Sequence, residues 1–237
     1  MTYESPIETA AQAPVRQPRD VRGFWRVLLA VIAPLPLLGQ AFYVLLNPLP
    51  GGGDFAAGLA KVQADQQVMS TIQWLNAVFV IALIPAAVAV AWVARRGAPR
   101  LATAGAVVSL LGFLAGFGRL PNDDLVMLSA VRSGLDHGVV AKLDAALWED
   151  PVVSVASGLW ILGLTVGLAL LGAALWRSRV APAWTGIALM IAGPTHPFLP
   201  GQAAAAGLVV GAVGFAGASL ALLRMRNDEF DLPPAGR

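Results

Sequence analysis

The chain has 237 residues, of which 57% are hydrophobic and 13% charged, with 16 lysines and arginines against 14 acids. A soluble domain carries about 45–50% apolar and about 25% charged residues, so this is the composition of a membrane protein. With no cysteine, disulfides, thiolate metal sites, cysteine nucleophiles and lipid attachment to sulfur are excluded, and the basic residues are better explained by membrane topology than by a nucleic-acid partner.

Residues 1–21 hold Pro6, Pro14 and Pro18, mixed charge and no apolar periodicity, which predicts a disordered cytoplasmic tail. The apolar run from Phe24 to Leu46 exceeds the h-region of about 7–15 residues in a cleaved signal. It is long enough to cross a hydrocarbon core of about 30 Å. Pro34 and Pro36 predict a kink midway. Asn47 to Gly53 ends this span, and Asp54 is the expected N-cap of a surface helix carrying Phe55, Leu59, Val62, Met69 and Ile72 on one face. The second span, about 74–94, contains Pro85 and stops at Arg95-Arg96-Gly97-Ala98-Pro99-Arg100. The third covers about 101–118.

Residues 119–150 form the longest polar segment. Asn122 followed by Asp123 and Asp124 reads as a helix start, with carboxylates at the positive end of the dipole. Leu125, Leu128 and Val131, then Val139, Leu143 and Leu147, give two short amphipathic pieces separated around Gly134 to Gly138, which predicts an outer helical cap. The fourth span, about 152–176, ends at Arg177-Ser178-Arg179. The fifth, 183–199, meets Gly193-Pro194-Thr195-His196-Pro197-Phe198-Leu199-Pro200-Gly201. Three prolines there predict a broken helix. Backbone groups freed in hydrocarbon need partners, so the break is the expected place for a pocket. The sixth span, about 202–223, leads into an acidic tail, 227–237, that reads as disordered.

Cytoplasmic loops retain lysine and arginine. With both tails and the Arg95–Arg100 and Arg177–Arg179 turns inside, only Lys61, Arg119, Arg132 and Lys142 fall outside. The expectation is an all-α, polytopic six-transmembrane-helix bundle over residues 22–226, both termini cytoplasmic, with short extracytoplasmic amphipathic helices and an electronegative outer face. Alanine, glycine and arginine richness points to a bacterial cytoplasmic membrane. Arg96-Gly97-Ala98-Pro99 and Arg179-Val180-Ala181-Pro182 echo one another at two inner turns, which leaves duplication and chance both open.

Gly112 and Gly116, Gly163 and Gly167, and Gly207 and Gly211 set small residues one turn apart. Such pairs let helices approach closely, within the chain or across a homodimer. The candidate pocket comprises His196, Thr195, Arg119, Asp123, Asp124 and His137. His196 either binds a ligand or bonds freed carbonyls. His196 and His137 with Asp123 or Asp124 suit zinc chemically, but without an H-x-x-H spacing the metal is unknown. Arg119 either snorkels or contacts an anion. Gln40, Tyr43, Asn76, Thr165, Thr185 and Gln202 are the polar residues within or beside spans, expected as interhelical hydrogen-bond partners.

No acid or lysine lies within a span, which argues against a proton-driven pump. No GxSxG, Walker or dinucleotide fingerprint occurs. No catalytic set and no cofactor are therefore expected. The first functional reading is a noncatalytic subunit or regulator of a membrane complex, with the lipid bilayer and a membrane protein as partners. The alternative is a small-molecule binder, transporter or membrane enzyme with an outward-facing pocket at the fifth helix.

Overall fold

The computed structural model describes residues 20–49, 55–119 and 122–231, and among these every regular element is helical. Asp54 and most of the two predicted tails lie outside the described residues. Chain order gives α1 Arg22–Ile32, α2 Leu35–Leu46, α3 Phe55–Ala64, α4 Gln66–Ala94, α5 Pro99–Gly116, α6 Asp123–Ser133 and α7 His137–Glu149. Then follow α8 Pro151–Leu162, α9 Leu168–Ser178, α10 Ala183–Phe198, α11 Gly201–Arg224 and α12 Asn227–Phe230. A 3-10 turn, Phe117–Arg119, closes α5, and a π-helical turn, Gly163–Gly167, joins α8 to α9.

Five helical segments are long and apolar enough to cross a membrane: Arg22–Leu46, Gln66–Ala94, Pro99–Gly116, Pro151–Ser178 and Gly201–Arg224. The first is interrupted at Ala33 and Pro34, between α1 and α2. Shorter than these five, α10 has 16 residues, about 24 Å at 1.5 Å per residue. It packs most extensively against α11 and α9.

The predicted break in this helix is not there. α10 continues through Pro194 and Pro197 and ends only at Phe198, with Leu199 as its extended C-cap ahead of Pro200. A proline ring costs one backbone bond and crowds the preceding turn, but neighbouring helices and hydroxyl side chains satisfy the freed groups inside a membrane bundle. The carbonyls that Pro194 and Pro197 leave without their helical donor are those of Met190 and Gly193; the Thr195 hydroxyl, between the two prolines, donates to a different one, that of Ala192, at 2.7 Å.

The basic turns gather at one end of the bundle. Arg22 pairs with Asp231 at 2.7 Å and Arg96 with Glu229 at 3.7 Å. Gly97 lies so close to the Arg177–Arg179 turn that a Cβ there would sit 2.7 Å from the Ser178 Cα. The segment 227–231, expected to be disordered, folds back on this end: Asn227–Phe230 is a helical turn and Phe230 is 8% exposed.

At the opposite, acidic end, side-chain caps begin three helices. Asn122 accepts from the Leu125 amide, Asp136 from Val139 and Asp150 from Val152, all at 2.8–2.9 Å. Gly134, at φ +61°, closes α6; its amide reaches Val131 O and that of Leu135 reaches Ala130 O, the paired bonds of a left-handed cap. Here Leu59 and Val62 of α3, Met69 and Ile72 of α4, and Met127 and Leu128 of α6 form a separate buried cluster. Beneath it lies the main core, centred on Phe79, Phe113 and Phe215. Leu111, Val107, Ile81 and Val155 point outward, as befits helices whose surroundings are lipid.

The small-residue pairs are used inside the chain. A Cβ on Gly112 would lie 2.5 Å from the Gly163 Cα, and Gly116 faces the Trp160 ring. Gly167 faces Ser109, Gly207 faces Thr195, and Gly211 faces Leu37 and Ala192. These approaches set α5 against the π-helical turn and α11 against α10 and α2.

Candidate functional site

Three polar residues on α2 and its C-cap, Gln40, Tyr43 and Asn47, are spaced three and four residues apart and therefore share one helical face. That face turns inward at the acidic end. The Tyr43 hydroxyl donates to Asp124 Oδ2, and Asn47 Nδ2 donates to the same oxygen at 2.8 Å. Asn122 Nδ2 donates to the Tyr43 oxygen at 3.2 Å. The helix start of α6 is thus tied onto the end of α2 by four side chains.

Burial pushes the Asp124 carboxyl above the usual carboxylate range, against the two donors that favour its charge. A folded-state pKa raised above the ordinary 3.8 contributes stability below the unfolded value, and this is lost as the pH rises through the shifted one. Asp124→Asn, which cannot ionise, is expected to gain melting temperature relative to the parent from about pH 4 to about pH 8. Parallel melting curves over that range count against the buried carboxylate.

One turn down α2, Gln40 is 4% exposed and its Nε2 lies 3.3 Å from His196 Nε2 on α10. The Phe79 ring meets the imidazole edge-to-face at 5.4 Å, and the Trp160 ring packs edge-to-face on Phe79 at 5.7 Å. His196 Nδ1 and Gln40 Oε1 are both buried without a hydrogen-bond partner among the described residues. So are both amide atoms of Gln73 on α4.

The Gln40–His196 contact has a consequence that holds for either tautomer. When the amide NH2 donates to Nε2, the imidazole carries its proton on Nδ1, and the pair leaves one N–H donor and one C=O acceptor open. With the amide turned over and Nε2–H donating, Nδ1 becomes the open acceptor and the amide NH2 the open donor. One donor and one acceptor remain open in both cases. Each unsatisfied polar group buried in hydrocarbon costs several kcal/mol.

The other predicted site residues are dispersed. Thr195 is occupied with the Ala192 carbonyl and the α11 backbone at Gly207. Asp123 turns away from Asp124 into a groove of about 340 Å³ shared with Asp144, Val126, Leu147 and Val152. Burial, then the neighbouring Asp123, raises the Asp144 carboxyl. His137 is exposed at the start of α7. The Arg119 side chain lies outside the described residues. Among the described residues no three histidines or acids group to hold a metal ion, so His196, His137, Asp123 and Asp124 do not converge. Asn47 was missed as a site residue; its signal was the helical spacing it shares with Gln40 and Tyr43. Compared with family models, with curated proteins and with solved structures, the chain matches none of them.

Proposed function

We propose that this is a six-span protein of a bacterial cytoplasmic membrane, both tails cytoplasmic, that binds a small hydrogen-bonding molecule between α2 and α10 beneath an outer cap of α3, α6 and α7. The topology is supported by the basic turns gathering with the C-terminal segment at one end, and by α10 packing between α9 and α11. The binding role rests on one observation: His196 Nδ1 and Gln40 Oε1, on two side chains in contact with each other, are both buried without partners among the described residues. A ligand with adjacent donor and acceptor, such as an amide, a carboxylic acid or a hydroxyl, completes both.

The test is native mass spectrometry of the protein extracted gently from its own membrane. An adduct of constant mass is expected in the parent, reduced at least tenfold in both His196→Ala and Gln40→Leu, which leave one partner without its counterpart. An adduct-free parent, or one that keeps its adduct in both variants, overturns the proposal.

A second reading has its own observation. On α7, outside the five apolar segments, Val139, Leu143 and Leu147 repeat every four residues and are 65%, 57% and 46% exposed. Such a stripe favours a covering partner, as a subunit role would provide. In the same spectra, a protein co-purifying at fixed ratio and lost in Leu143→Ser supports that reading.

A further inference from the structure

We infer that the groove between α5 and the end of α9 is a binding site for an anionic phospholipid, its phosphate held by Arg177 and Arg179. The groove has a volume of about 560 Å³ and is lined by Gly97, Leu101, Ala173, Trp176, Arg177 and Arg179. Its two ends differ in chemistry as the two ends of a lipid do. Leu101 and Ala173 form an apolar wall along the helices, Trp176 is 51% exposed at the rim, and the guanidinium groups stand beyond it. Tryptophan at that level is the side chain that sits where acyl chains give way to headgroups.

The charge of this groove is unanswered by the protein. At the same end of the bundle Arg22 pairs with Asp20 and Asp231, Arg96 with Glu229, and Arg226 with Asp228. Arg95 donates to the Phe230 carbonyl at 2.8 Å. All the described acids of this end are thereby committed, and among the described residues Arg177 and Arg179 make no ion pair. Basic pockets between helices at a membrane surface are suited to anionic headgroups.

The backbone holds the arginines in place at a cost. Arg179 caps α9 at φ 57°, the only non-glycine residue with positive φ among the described residues. Glycine fills such a position without steric penalty. The adjacent Ser178 is pressed against Gly97, so the turn is rigid and presents Arg179 on a fixed frame. A strained position that keeps a cation where glycine would fit better is the pattern of a site whose side chain is used.

The experiment uses the full chain in phosphatidylcholine nanodiscs, titrated with phosphatidylglycerol and read by native mass spectrometry as lipid retained per protein. Near a membrane surface one arginine changes affinity by about fivefold. Retention is expected to weaken about fivefold in Arg177→Gln and in Arg179→Gly, and about 25-fold in the double variant. Arg132→Gln, at the far end on α6, serves as the unchanged control. Arg179→Gly relieves the positive φ, so it tests the charge with the fold intact. Full retention in the double variant, or equal loss in Arg132→Gln, overturns the assignment. So does glycerol phosphate binding as tightly as phosphatidylglycerol with the same arginine dependence, which would make a soluble phosphate the occupant.

Discussion

Gly112→Ala is expected to lower the melting temperature in detergent by roughly 10 °C, while Gly158→Ala raises it. The added methyl at residue 112 would meet the Gly163 Cα and the Leu159 carbonyl oxygen, each at 2.5 Å. Both are backbone atoms, so no rotamer change relieves the clash and α5 must move away from α8. Overpacking of this kind costs about 3 kcal/mol, which for a chain of this size converts to roughly 6–12 °C. Gly158 lies on the same helix α8 with nothing within 4 Å of its Cβ position, and alanine there gains about 1 kcal/mol of helix propensity. Opposite signs are therefore expected from one substitution type on one helix pair. The oligomeric state should stay constant in Gly112→Ala, because Gly112 faces Gly163 of the same chain. A monomer formed from a dimer, at unchanged melting temperature, would assign the glycine pair to an interface between copies instead.

The sensitivity of this crossing comes from the π-helical turn. Its wider backbone brings Gly163 against Gly112 and Gly167 against Ser109 on one side. On the other, a Cβ on Gly193 of α10 would lie 2.7 Å from the Leu164 carbonyl oxygen. Three helices thus meet at one loosened turn with little side chain between them. Ser109 is fully buried and its hydroxyl has no partner among the described residues, so a carbonyl released by the turn is not captured there. π-Bulges are frequent at functional sites, and Trp160, which precedes this one on α8, packs on the Phe79 ring that meets the His196 imidazole.

The apolar helices were legible in the sequence because each is a run in which charge is too costly to place, and the ends announce themselves by arginine or by a cap such as Asn122. Pro34 and Pro36 announced the interruption between α1 and α2 because each removes one backbone donor and crowds the turn before it. Pro194 and Pro197 looked the same in sequence and behave differently: α11 packs closely along this part of α10, with Gly207 against Thr195 and Gly211 against Ala192, and that support depends on tertiary structure. The site was less legible for a related reason. Gln40 and His196 are 156 positions apart, and neither carries a motif. Asp123 and Asp124 are neighbours in sequence, yet one residue of helical rotation sends Asp124 to Tyr43 and Asp123 to the groove with Asp144. The acidic tail hid its aromatic anchor because a lone Phe230 among charges carries no periodicity.

That anchor carries the second large effect: Phe230→Ala is expected to lower the melting temperature by roughly 6–12 °C, and truncation after Arg226 to lower it further. Phe230 packs on Trp92 with ring centroids 5.2 Å apart. Its carbonyl accepts from Trp92 Nε1 at 2.9 Å and from Arg95 Nη2 at 2.8 Å. Removing a buried phenyl ring costs about 3–5 kcal/mol; a terminal segment can relax around the gap, which places the expected cost near 3 kcal/mol. Alanine at this position keeps the carbonyl and both hydrogen bonds. Truncation removes them as well and strips Arg95, whose Cζ lies 3.5 Å over the Trp92 ring, of its only described acceptor. The exposed pairs Arg22–Asp231 and Arg96–Glu229 contribute little to this difference, since ion pairs in water are weak. The order is the diagnostic result. Truncation worse than Phe230→Ala places energy in the carbonyl held by Trp92 and Arg95. Equal losses place all of it in the ring, and no loss in either variant shows that the segment does not dock on the basic end.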